Sequence, residues 1–142
     1  MSFDLMVFDP QAAPSRREDF RAWYREQTRW GEPHSYFDPT FATPALHAWF
    51  MDMIATFPAM NGPFAVRDWP DDACITDYSI GHVVIYAAFA WSKAKPARDL
   101  TFRLAMKHRL GFYYVSSAEG EVFLPDGRGW LAKAFATASP DR

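Results

Sequence analysis

The chain has 142 residues, 49% of them apolar and 23% charged, which is enough for one sizeable core and too hydrophobic for a disordered polypeptide. A formal net charge of −2 leaves no basic excess to grip a phosphate backbone, so nucleic acid is not an expected partner. The lone cysteine, Cys74, excludes an internal disulfide and a multi-cysteine zinc site; with no apolar run near the ~18 residues of a membrane span and no basic leader at Met1–Asp4, a cytoplasmic chain is expected.

The opening Phe3-Asp4-Leu5-Met6-Val7-Phe8 reads as a strand, apolar on both faces apart from Asp4, and so belongs in the middle of a sheet. Ser15-Arg16-Arg17-Glu18 has the spacing of a capping box, followed by Phe20, Trp23, Tyr24, Gln27 and Trp30 at helical intervals. This predicts an amphipathic helix ending near Gly31. Residues 32–42 are too rich in breakers for a regular element. Thr43-Pro44 then has the form of an N-cap and first helical residue, with Leu46, Trp49, Phe50, Met53, Ile54 and Phe57 as the apolar stripe.

The stretch Ile75–Trp91 predicts strand, divided at Gly81 into a short and a long piece. Ala88 and Ala90 on one of its faces suggest a helix packed closely across it. A helix opening at Ser92 or Lys95 follows, with Pro96 in its first turn, cations in its last and Gly111 as its C′ residue. Phe112–Ser116 and Glu121–Leu124 read as a hairpin, and Trp130–Ala138 as a short final helix. The expected fold is α+β over 1–142 as a single domain. Its sheet is mostly antiparallel or mixed, of about four to five strands, with helices packed mainly on one face and a split β-α-β connection. Only Ser139–Arg142 are expected to be disordered.

No local motif carries catalysis. His34, His47, His82 and His108 have no metal-ligand spacing, Cys74 follows two carboxylates that would suppress its thiolate, and neither a nucleophile elbow nor a phosphate-cradling glycine loop is present. No metal, cofactor or catalytic residue is assigned. What stands out is charge. Residues 1–91 carry 12 acidic and 6 basic side chains, whereas residues 92–142 carry 5 and 9. Within 26–77, eight acids face only Arg29 and Arg67 amid many aromatics. Carboxylates that steer and rings that anchor are the composition of a surface for a basic protein partner. The residues expected to form it are Trp30, Glu32, His34, Tyr36, Asp38, Asp68 and Trp69.

Ser2-Phe3-Asp4-Leu5-Met6-Val7-Phe8, Asp77-Tyr78-Ser79-Ile80-Gly81 and Lys107-His108-Arg109-Leu110-Gly111-Phe112 resemble a group of short, uncharacterised bacterial proteins. In type, though not in motif, such one-domain acidic proteins are similar to immunity proteins that neutralise interbacterial toxins. That likeness implies a non-enzymatic protein whose partner is a basic toxin domain. The alternative is a small-molecule-binding protein or enzyme with a pocket between sheet and helices, lined by Tyr78, His82, Tyr86 and Glu121. A homo-oligomeric structural protein is a third reading.

Overall fold

Strand β1 (Phe3–Phe8) sits at the centre of the sheet, every residue but Asp4 buried, as its two apolar faces require. The structure is a computed structural model that describes residues 1–138; the disorder expected of Ser139–Arg142 lies outside the described residues. On one side of β1 runs β3 (Val84–Phe89), itself paired with β2 (Asp77–Ile80); the Gly81 N–H donates to the Val84 carbonyl at 2.8 Å to close that hairpin. On the other side lie β4 (Gly111–Tyr113), β5 (Glu121–Pro125) and β6 (Leu131–Ala136). The order is β2-β3-β1-β4-β5-β6 and every neighbouring pair is antiparallel. Since β1 and β2 both oppose β3, they run parallel with β3 inserted between them. The same holds for β3 and β4 around β1. The fold is thus α+β with two interleaved split β-α-β units, extended by the β5–β6 hairpin.

Among the described residues the sheet has six strands, not the expected four to five. Helices lie mainly on one face, where α2 (Pro44–Met53) and α3 (Ala94–Lys107) pack over Leu5, Val7, Ile85, Ala87 and Phe89, whereas Phe20 of α1 (Arg17–Gln27) packs over Met6, Phe8 and Val84 on the opposite face. The Thr43–Pro44 start of α2 forms as predicted, the Thr43 hydroxyl accepting from the Leu46 N–H at 3.5 Å. The Ser15 capping box does not. Arg16 is the N-cap, without a side-chain bond, and Glu18 pairs with Arg17 at 2.9 Å.

The sixth strand replaces the predicted final helix. Asp126 accepts from the Arg128 N–H at 2.7 Å and the Trp130 N–H at 3.2 Å, and Gly127 and Gly129 adopt φ of 81° and 92°. This turn lays Leu131-Ala132-Lys133-Ala134-Phe135-Ala136 back along β5, where ladder bonds override the helical preference of the alanines. Val122 pairs with Phe135 and Phe123 with Lys133, which leaves Ala134 as the extra residue of a bulge. Strand alternation would put Leu131 and Phe135 on one face. Across the bulge, Leu131 instead joins the α2/α3 side and Phe135 the α1 side.

Candidate functional site

The segment after α1 is the most constructed loop of the molecule. Trp30 leaves the helix at φ 54°, a left-handed conformation that costs a non-glycine residue about 1–3 kcal/mol. Its indole meets Tyr36 edge-on at 5.0 Å and reaches Tyr86 at 6.4 Å. Glu32 turns inward. Its Oε1 accepts from His34 Nε2 at 2.5 Å and from the His82 backbone N–H at 3.0 Å, while its own N–H donates to the Tyr36 hydroxyl. His34 stacks on Phe41 at 4.8 Å, and His82 Nδ1 donates to the Phe41 carbonyl at 2.8 Å. The Ile80 N–H donates to the Tyr36 carbonyl at 2.8 Å, which stitches the loop along the outer edge of β2.

His34 Nδ1 faces the Ser35 carbonyl at 3.0 Å, so with Glu32 both ring nitrogens meet acceptors. That arrangement suits the imidazolium, and the Ser35 carbonyl followed by the Glu32 carboxylate raises the His34 pKa above its ordinary value against the opposing effect of desolvation.

Of the seven residues expected to form a partner surface, Trp30, Glu32, His34 and Tyr36 are brought together, but chiefly to hold one another. Asp38 follows in the next turn, capping a short 3₁₀ helix (Pro39–Phe41) through Thr40 N–H at 2.9 Å and Thr40 Oγ1 at 2.6 Å. The Thr40 hydroxyl and N–H hold its carboxyl below the usual range. Asp68 is exposed and Trp69 half-buried. Among the described residues no hydrogen bond, ion pair or ring contact joins either of them to the Trp30 cluster.

The outward-facing rings are others. Phe37 is 42% exposed, Phe41 52%, Met60 50% and Phe64 37%. Gly62, at φ 87°, sits so tightly against the Phe37 backbone that a Cβ there would come within 2.3 Å of its carbonyl oxygen. The turn carrying Met60 and Phe64 is thereby laid on Phe37. Pro39, Pro58, Gly62 and Pro63 break any period in these segments. The lack of a burial stripe around Phe37, Phe41, Met60 and Phe64 is the signal by which the sequence marks them.

The residues proposed for an alternative pocket do not converge. Tyr78 points into the α2/α3 core, 3% exposed, its hydroxyl donating to the Phe57 carbonyl at 2.7 Å. Tyr86 points to the opposite face and donates to Asp4. His82 is in the β2–β3 turn, and Glu121 accepts from Ser117 beyond β4. Glu121 lines a different cavity, of about 540 Å³, between α3 and β4–β5. Its floor is Phe102, Phe112 and Phe123, and its lining also includes Arg98, which pairs with Asp99 at 2.8 Å, and Arg103.

A smaller cleft of about 290 Å³ lies on the α1 face. Tyr24 from α1, Thr28 at its C-cap, the indole of Trp30, and Asp77, Ser79, Tyr86 and Ala88 from the sheet enclose it. The alanine at 88, expected to admit a closely packed helix, forms the open floor of this cleft instead, because α1 packs over Met6, Phe8 and Val84 and against Tyr113 and Phe135 on the β4–β6 side of the sheet. Burial, and then the Asp4 carboxylate that its hydroxyl donates to, push Tyr86 far above the usual phenol range; burial likewise raises Tyr24. Both hydroxyls therefore keep their protons. Among the described residues no group of three or more His, Cys, Asp or Glu is placed to hold a metal ion, and no helix is long and apolar enough to cross a membrane.

Comparison with protein-family models, with curated proteins and with solved structures finds no match.

Proposed function

We propose that the chain is a non-enzymatic binding protein of the immunity type, holding a basic toxin domain against its acidic, ring-bearing loops. One observation carries this reading. Five of the eight exposed large apolar side chains among the described residues, Phe37, Phe41, Met51, Met60 and Phe64, fall within 26–77. That same stretch holds eight acids and two bases. Apolar side chains left in water inside a negative field are what a cationic protein partner would bury, the charges setting the encounter rate and the rings the lifetime. Trp30, Glu32, His34 and Tyr36 then act as the scaffold that presents Phe37, Asp38 and Phe41.

The test is co-expression with candidate basic toxin domains, reading cell survival and the dissociation constant of the complex. Phe37→Ala with Phe41→Ala removes two anchors and is expected to weaken capture by about 30-fold or more, the effect of a lost hot spot of about 2 kcal/mol. Asp38→Lys with Asp68→Lys is expected to slow association in low salt. Wild-type protein that neither binds nor protects, or variants that protect equally well, would overturn the proposal.

A further inference from the structure

The cleft beneath Trp30 is separate from the loop surface, and its chemistry is specific. Ala88 of β3 has Asp4 of β1 and Asp77 of β2 as its cross-strand neighbours, all three on the α1 face. The neighbouring row is Met6, Tyr86 and Ser79. A methyl group between two longer side chains leaves a depression, and Tyr24, Thr28 and Trp30 stand over it. The walls are therefore three aromatic rings, the two aliphatic hydroxyls of Thr28 and Ser79, and one carboxylate.

That carboxylate is the decisive group. Asp77 is half-buried, and among the described residues the one hydrogen bond to its carboxylate comes from Asn61 Nδ2 at 3.4 Å, a long contact that leaves most of its lone pairs free. None of the residues lining the cleft is basic. The contrast is with the 540 Å³ cavity, whose lining includes the two guanidiniums of Arg98 and Arg103. Tyr86 does not meet the need of Asp77, since its hydroxyl proton goes to Asp4. A half-buried carboxylate beside aromatic rings attracts an organic cation twice over, by direct charge and by the negative ring faces. It repels phosphates and carboxylates for the same reasons. The volume sits at the lower edge of the ~300–1,000 Å³ of small-molecule sites, room for a cationic head and a short stem and too little for a nucleotide.

We propose that this cleft binds an alkylammonium or guanidinium group, with Asp77 as the counter-ion and Trp30, Tyr24 and Tyr86 as the aromatic wall. The same chemistry is offered by a free amine and by a lysine or arginine side chain of another protein. The left-handed backbone at Trp30 holds the indole at the cleft, 6.4 Å from the Tyr86 ring. The inference does not rest on the loop surface, which uses Phe37 and Phe41.

Calorimetric titration of the full chain with putrescine, agmatine and tetramethylammonium, and with blocked Gly-Lys-Gly and Gly-Arg-Gly peptides, tests it. Saturable binding is expected, with acetate and glycerol inert. Asp77→Asn keeps the shape and the Asn61 contact and is expected to weaken binding about tenfold or more, as the loss of a hydrogen bond to a charged group implies. Trp30→Leu removes the indole and is expected to weaken it several-fold. Unliganded melting temperatures control for folding. Tighter binding of the free amines assigns the cleft to a small molecule, and tighter binding of the peptides assigns it to a side chain; both support the proposed chemistry. No saturation by any cationic probe below about 10 mM, or an unchanged Asp77→Asn, overturns it. Phe37→Ala with Phe41→Ala leaves these titrations unaltered, so failure here and failure of the docking surface are separately visible.

Discussion

Replacing Gly111 with alanine is a sharp test of how this sheet is packed. Gly111 pairs with Phe8 across β1 and β4, and an added Cβ would lie 2.2 Å from Phe8 Cζ and 2.3 Å from its Cε2. Carbon atoms rest at about 3.5–4.0 Å, so the ring tip would have to withdraw by more than about 1 Å. It has little room to do so: Phe8 is fully buried, with Phe20 at 5.3 Å and Trp23 at 5.7 Å. Overpacking of this kind costs about 1–3 kcal/mol, and a clash with a wedged ring belongs at the upper end. The opposing effect, the smaller unfolded-state entropy of alanine, is worth about 0.4–1 kcal/mol and does not offset it. For a chain of this length about 3 kcal/mol corresponds to a melting point lower by about 10 °C. Thermal melts and urea titrations at unchanged m-value measure it. Phe8→Leu removes the offending ring atoms, so the double variant is expected to be more stable than the sum of the singles by about 1 kcal/mol or more. A Gly111→Ala protein that melts within about 2 °C of wild type, or strictly additive variants, would refute the steric argument.

Two further outcomes follow from single contacts. The raised pKa of His34 means that its contribution to stability is fully present below the ordinary histidine value of about 6.5 and declines as pH rises through the higher folded value. Urea midpoints should fall with rising pH in that window for wild type and lose this component in His34→Gln; an identical slope in the variant would contradict the Glu32–His34–Ser35 arrangement. Tyr78→Phe leaves the buried Phe57 carbonyl without its 2.7 Å donor and should cost about 1–3 kcal/mol in urea unfolding with the fold unchanged, whereas a loss below about 0.5 kcal/mol would mean that another donor takes over.

Much of the fold is readable where a residue type admits one conformation. Thr43-Pro44 starts α2, Pro96 falls in the first turn of α3, Gly81 divides β2 from β3, and the two-faced apolarity of β1 places it centrally. Glycines mislead where they are not the residue that bends. Near Gly31 the left-handed residue is Trp30, and near Gly111 it is Arg109 at φ 58°. The Arg109 N–H donates to the Met106 carbonyl and the Leu110 N–H to the Ala105 carbonyl, closing a Schellman turn two residues before the glycine that the packing of Phe8 requires. The final strand is hidden because Leu131–Ala136 is built of good helix formers and only its pairing with β5 decides otherwise. In the candidate site, spacing identifies acids and rings but not their direction. Glu32 is spent on His34 and the His82 N–H, and Tyr86 and Tyr78 part to opposite faces because they lie an odd number of bonds from a shared register. Asp77 and Trp30, nearly fifty residues apart, meet over Ala88 only once the strands are ordered.

The bulge at Ala134 has a mechanical consequence. By handing Leu131 to one layer and Phe135 to the other, it makes the terminal strand a rivet through the sheet and not a veneer on one side. Simple alternation over all six residues would put both side chains on one face and oblige the strand to abandon one of its two attachments. Peeling of β6 should therefore slacken α1 and α3 together, although these helices lie on opposite sides of the sheet.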